Sequence, residues 1–219
     1  MENRPVPQPV EKSTVAVLIS GRGSNLGAIL EAIAAGRLAA RVAVVISNRA
    51  DAAGLARARD AGIETLVMPH RDYPSREAYD DALVEAIRER RVGLICLAGF
   101  MRRLGRRFCD AFPHAVLNIH PSLLPAFPGV DAQRQALEHG VHVTGVTVHF
   151  VTPELDAGPI VMQTPVPVEP GDSAETLAAR ILVEEHRLYP EAIARVIGGH
   201  WRIDGRRVVF DPPATPQRS

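Results

Sequence analysis

Five short apolar runs, separated by stretches of helical periodicity, constrain this chain more than any other feature. They fall at residues 15–20, 42–46, 65–68, 93–98 and 116–120. An unbroken apolar run, unlike an alternating one, marks a strand covered on both faces. Between the runs, Leu26, Ile29, Leu30 and Ile33 repeat at helical spacing until Gly36 stops them, and a second helix over about 51–61 ends at Gly62. Ser75 and Glu77 sit near the start of a longer amphipathic helix with Tyr79, Leu83, Ala86 and Ile87 on one face, and a short helix is expected over 108–112. The alternation predicts right-handed βαβ units, hence an α/β fold with a doubly wound, mostly parallel, Rossmann-like sheet.

The pattern changes after a proline-rich loop at 121–129 and a short helix at 133–140. Residues 142–151 and 159–168 are β-branched and alternating, and the turn residues of 153–158 join them, which predicts an antiparallel hairpin extending the sheet. One long helix follows over 173–197, with Asp172 or Ser173 as N-cap and Gly198-Gly199 as stop. Residues 201–210 read as a last small hairpin turning at Asp204-Gly205. The expected organisation is a disordered leader over 1–13, a single domain over 14–210 and a loose tail over 211–219.

Composition narrows the function classes. The formal net charge is zero, which argues against a nucleic-acid binder that works by neutralising phosphates. No apolar run approaches the length of about 20 residues that a membrane-spanning helix needs. Residues 1–13 contain three prolines and no hydrophobic region, unlike a secretory signal. Cys96 and Cys109 form neither a metal-like spacing nor a disulfide framework, so a reducing cytoplasm fits best and no metal is expected. The only lysine is Lys12, in the leader, which disfavours Schiff-base chemistry and a Walker-type phosphate lysine.

Ligands of such sheets bind beyond the carboxyl ends of the strands. The Gly21–Asn25 loop, the 99–104 segment and the pair Asn118/His120 all fall there. The glycines of the loop let backbone N–H groups approach an anion, and the helix starting near Asn25 adds its positive end. Gly27 comes one position too late for a dinucleotide fingerprint, and Ser47-Asn48-Arg49 offers no acid for a ribose hydroxyl, so a monophosphate is favoured over NAD. A tight strand-to-helix turn is the structural alternative. In the run LNIHPSLLP (117–125), Asn118 and His120 lie two residues apart and point the same way. A carboxamide and a titratable ring on one face suit a developing oxyanion, although they read equally as a turn cap and a core-edge histidine. Taken alone, Asp156 reads as a turn residue ahead of a catalyst, and His149 as a core-edge residue as readily as an active-site one. The segment 99–104 sets apolar surface beside charge, which suits a flat aromatic ligand with an acidic tail or a plain loop.

The segments GRGSN (21–25), SREAYD (75–80), LAGFMR (97–102), LNIHPSLLP (117–125) and VHFVTPELDAGPI (148–160) resemble the phosphoribosylglycinamide formyltransferases of purine biosynthesis, and EEHRLYP (184–190) and Asp204-Gly205-Arg206 fit as well. The likeness runs in one order over roughly 14–210. The resemblance implies transfer of a formyl group from 10-formyltetrahydrofolate, the co-substrate, to the amine of glycinamide ribonucleotide. It implies that Gly23, Ser24 and Asn25 bind the 5′-phosphate and that Glu185 contacts the amine-bearing or ribose end. Asn118 and His120 would hold the oxyanion, with Asp156 keeping His120 protonated and organising a proton-relaying water. Arg76, Met101, Arg102, Arg103, Leu104, Asn118, Thr152, Pro153, Glu154, Leu155 and Asp156 would serve the folate. The expected partners are small molecules, with no nucleic acid or membrane, and a monomer or homodimer.

Arg103, Gln133 and Leu182 depart from the family pattern, where isoleucine, histidine and a polar residue are common. Within the formyl-folate enzymes the alternative is a formyltetrahydrofolate deformylase, for which an additional N-terminal domain is expected; about 14 residues precede the first strand. A methionyl-tRNA formyltransferase would need a C-terminal tRNA-binding domain and a basic face. A nucleotide-binding module without catalysis rests on the glycine loop alone and would bind NAD(P).

Overall fold

The computed structural model describes residues 14–211; the expected leader and all but the first residue of the expected tail lie outside the described residues. Nine strands form one sheet, in the order β3-β2-β1-β4-β5-β6-β7-β9-β8. The parallel part comprises β1 (Thr14–Ile19), β2 (Arg41–Ser47), β3 (Glu64–Val67), β4 (Leu94–Leu97) and β5 (Val116–His120). Strand β1 shows why its sequence is unbroken: Val15, Val17 and Ile19 enter one core cluster, and Ala16 and Leu18 enter the other. Period-two alternation sends neighbouring side chains to opposite faces, and both faces are covered.

Helices α1 (Ser24–Ala34), α2 (Gly54–Asp60), α5 (Ala132–Glu138) and α6 (Ala174–Ile197) supply the first cluster. Helices α3 (Arg76–Arg88) and α4 (Arg106–Ala111) supply the second, through Tyr79, Leu83, Ile87 and Phe108. Ser75 caps α3 by accepting the Ala78 N–H at 3.1 Å, and Ser173 and Thr176 form a reciprocal capping box at the start of α6. Two expected helices shift slightly. The helix placed over 51–61 begins at Gly54, after a turn, and the one placed over 108–112 begins at Arg106, because polar residues occupy its first turn.

Beyond β5 the direction reverses. Strand β6 (Val143–Phe150) pairs antiparallel with β5 as well as with β7 (Ile160–Pro167), and β8 (Trp201–Asp204) and β9 (Arg207–Phe210) close the edge as a hairpin. In the β5/β6 register Asn118 sits opposite His149, and His120 opposite Thr147. Tyr189 of α6 is fully buried, and its hydroxyl lies 2.9 Å from the Leu97 carbonyl and 3.1 Å from that of Leu117. The long helix thereby ties the end of β4 to the first half of β5, next to Asn118.

Candidate active site

The chain leaves β1 through Ser20 and turns at Gly23, whose φ of +67° suits glycine. A Cβ there would lie 2.7 Å from Gly54 Cα, so backbone is packed on backbone. The Gly54 N–H donates to the Gly21 carbonyl at 3.0 Å and braces the loop against α2. No side chain caps α1; its first helical bond, from Gly27 N–H to the Gly23 carbonyl, leaves earlier N–H groups of the first turn for an anion. Ser20 Oγ donates to Asn48 Oδ1 at 2.6 Å and accepts the Met101 N–H at 2.8 Å, tying three strand ends together.

This loop opens on a cavity of about 710 Å³. The opposite wall is one face of α6, with Glu175, Ala178, Ala179, Leu182 and Glu185 at steps of three and four. Asn25 Nδ2 donates to Glu185 Oε2 at 2.7 Å, joining residues 160 apart in sequence. Burial pushes the Glu185 carboxyl above its ordinary range, and the hydrogen bond from Asn25 opposes that shift. Asn25 Oδ1 is buried without a partner, which leaves an acceptor for a ligand donor.

At the end of β5, Ile119 and Pro121 face this cavity. Asn118 and His120, on the alternate face, meet His149 and Asp156 respectively. The Asp156 carboxylate lies 3.5 Å from His120 Nδ1 through Oδ2 and 3.7 Å from His149 Nε2 through Oδ1. Asp156 adopts a φ of +48°, a conformation that aspartate tolerates better than most residues. The Gly129 N–H holds its Oδ2 at 2.8 Å. His120 Nε2 lies 2.9 Å from the Phe127 carbonyl, which requires a proton on that nitrogen, while Nδ1 turns toward Asp156. To meet a substrate oxygen, the Nε2 proton must share or exchange its bond to Phe127.

His149 is the member of this cluster that the pattern of the sequence did not distinguish. Its Nδ1 lies 2.9 Å from the Phe150 carbonyl, which requires a proton there; Nε2, 3.2 Å from Asn118 Nδ2, then accepts from the carboxamide. The ring is 2% exposed, and burial lowers its pKa. A neutral His149 therefore fixes which way Asn118 points.

The two segments assigned to the folate lie against each other. Arg103 Nη2 donates to the Pro153 carbonyl at 2.7 Å, and Arg106 approaches Glu154 at 3.9 Å. Met101 and Leu155 are exposed at 75% and 53%, apolar surface at the rim of a site. Leu104 belongs to the second core cluster and its side chain is buried. Arg102 stacks on the Tyr79 ring at 5.5 Å. Asp80 accepts the Gly105 N–H at 2.8 Å and anchors the 101–105 segment to the helix that starts with Arg76. Thr152 Oγ1 turns toward the Glu154 carbonyl at 3.4 Å.

On the α6 wall the resemblance pointed to Glu185 and Leu182, while Ala178 and Ala179 escaped because small residues at helical spacing read as packing. Gln133, at the start of α5, also reaches the cavity. Cys96 is fully buried, and its thiol is pushed up to about 12 by burial, so it supplies no nucleophile at neutral pH. Among the described residues no three His, Cys, Asp or Glu side chains are grouped to hold a metal ion, and no helix is long and apolar enough to cross a membrane.

A family profile described as formyl transferase matches residues 13–193. The chain is 47% identical over 192 residues to the phosphoribosylglycinamide formyltransferase of Escherichia coli, with 88% of each chain covered. It is 47% identical over 193 residues to the trifunctional purine biosynthetic protein adenosine-3 of Bos taurus, covering 88% of this chain but 19% of that protein. The chain thus spans about a fifth of the length of that larger relative. Among solved structures, glycinamide ribonucleotide transformylase 1 from Symbiobacterium toebii superposes with a TM-score of 0.89 at 57% identity, covering 90% of this chain and 93% of that one. A formyltetrahydrofolate deformylase from Pseudomonas syringae superposes with a TM-score of 0.85 at 27% identity, covering 92% of this chain and 67% of that one.

Proposed function

The chain belongs to the formyl transferase family, and from that premise we propose that it transfers the formyl group of 10-formyltetrahydrofolate to the amine of 5′-phosphoribosylglycinamide. The observation that carries this reading is that the cavity between a phosphate-type loop and the buried acid Glu185 reaches Ile119 and Pro121 at the end of β5, and that His120, between those two in the chain, stands beside Asp156. Gly23, Ser24 and Asn25 hold the 5′-phosphate through backbone N–H groups. Glu185, braced by Asn25, takes the amine-bearing end. Arg76, residues 101–104 and residues 152–156 form the folate side, with Arg103 and Pro153 joining its two walls.

The chemistry is direct acyl transfer. The amine, reaching past Ile119 and Pro121, attacks the formyl carbon. Asn118 donates its second carboxamide N–H, the one not given to His149, to the oxygen as it becomes negative. Imidazolium His120 donates to the same oxygen, with Asp156 as its counter-charge, and stabilises the tetrahedral intermediate. The proton that leaves the amine passes by way of Asp156 and a water to the tetrahydrofolate nitrogen, which departs as a neutral amine as the carbonyl re-forms. No protein nucleophile enters the scheme.

A formyl-transfer assay with purified protein, glycinamide ribonucleotide and 10-formyltetrahydrofolate tests the proposal, run beside a control without the ribonucleotide. Formylation that requires the ribonucleotide supports it. Release of formate alone, at the same rate with and without the ribonucleotide, replaces it with deformylase activity.

A further inference from the structure

Among the described residues, the cavity assigned above to the phosphorylated ribose is lined by two carboxylates, Glu175 and Glu185, and a single cationic side chain, Arg22. A phosphate monoester brings close to two further negative charges at neutral pH. The start of α1 offers it partial positive charge, equivalent to about half an elementary charge. The α6 wall facing the loop adds nothing: Ala178, Ala179 and Leu182 have no side-chain donor. Electroneutrality inside the cavity therefore falls on the residue between Gly21 and Gly23.

Arg22 is placed and uncommitted. It is exposed, and none of the ion pairs among the described residues uses it. Of the nearby arginines, Arg49 pairs with Asp51 at 2.7 Å, the Arg57 guanidinium lies over Gly27, and Arg134 lowers the pKa of Glu175; none of the three lines the cavity. A Cβ at Gly21 would meet no atom within 4 Å, so the segment leading into Arg22 has open space around it.

We infer that Arg22 determines the preference for a phosphorylated substrate, its guanidinium folding over the 5′-phosphate held by the N–H groups of the loop. Arginine suits this role because its planar fork meets phosphate oxygens two at a time. The bland alternative is a solvated loop arginine, whose removal would change nothing. The inference rests on the reading of this cavity as the glycinamide ribonucleotide site.

The test compares wild type, Arg22→Gln, Arg22→Lys and the charge-matched control Arg37→Gln, an exposed position beyond the far end of α1. Each is assayed for kcat, for KM of both substrates and for competitive inhibition by ribose 5-phosphate. Arg22→Gln should raise KM for the ribonucleotide about tenfold and weaken ribose 5-phosphate inhibition by the same factor. Its kcat should stay within about twofold and its folate KM should not move, since the guanidinium meets a part of the substrate remote from the formyl carbon. Lysine should recover part of the loss, and Arg37→Gln should behave as wild type. Wild-type KM and inhibition in Arg22→Gln, in an enzyme that formylates the ribonucleotide, overturn the role of Arg22 and leave the proposed function standing. A wild-type protein that does not formylate the ribonucleotide overturns both.

Discussion

His149 Nε2 lies 3.2 Å from Asn118 Nδ2, and its other nitrogen is held by the Phe150 carbonyl. The histidine thus reads the carboxamide as a donor on that side and leaves one N–H of Asn118 for the reaction. Without it the amide is free to turn its oxygen toward a negative substrate atom. His149→Leu, which preserves bulk in a buried position, should lower kcat about tenfold or more with little change in either KM. Steady-state kinetics beside a thermal melt decide this, and an unchanged kcat in a folded variant removes His149 from the site.

The three groups around Asp156 should behave as a unit. Asn118→Ala and His120→Ala should each cost about 10²–10³ in rate, the usual loss for one oxyanion donor. Asp156→Asn should fall in the same range, and the double variant His120→Ala/Asp156→Asn should cost far less than the product of the singles. Independent, multiplying effects in a double-mutant cycle would mean that the 3.5 Å contact between His120 and Asp156 does not operate in turnover.

Glu185 sets binding against stability. Burial raises its folded-state pKa, so folding favours the protonated form. Its contribution is fully favourable below the ordinary glutamate range and is lost as pH rises through the folded value, above which the buried charge destabilises. Glu185→Gln, which still accepts from Asn25, should therefore raise Tm at pH 8 by more than at pH 5. It should also raise KM for the ribonucleotide. Melting curves across that pH span, read beside the kinetics, check both halves.

The loop at Gly23 leaves no room for a side chain. Gly23→Ala would place Cβ 2.7 Å from Gly54 Cα at a φ of +67°. The variant should lose on the order of 1–3 kcal/mol of stability and bind the ribonucleotide poorly, with folate binding retained. Denaturant unfolding and folate titration separate the two effects.

Much of this architecture is legible in the residues themselves. The strands β1, β2, β4 and β5 are written as largely unbroken apolar runs because both their faces are covered, whereas the edge strand β3 has no buried residue and β6 alternates in sequence although it too is buried. Capping chemistry at Ser75 and Ser173 marks where α3 and α6 start. What is not legible is contact across the sheet. Asn25 and Glu185 meet over 160 positions, and nothing in spacing foretells it. His149 alternates like any strand residue; only the register of β5 with β6 sets it opposite Asn118. Ala178 and Ala179 look like packing because small residues on a helix face serve a core and a cavity wall alike.

The antiparallel pairing of β5 and β6 decides where the chain tolerates changes in length. Extra residues in the connection between Gly140 and Val143 only lengthen a surface excursion, because the ladder beyond it is set by its own hydrogen bonds. One residue inserted between Thr147 and His149 is another matter. It would either slip the ladder by a step, sending the imidazole to the opposite side of the sheet, or be extruded as a bulge that tilts it away from Asn118. Natural length variation should accordingly collect in the first place and be absent from the second.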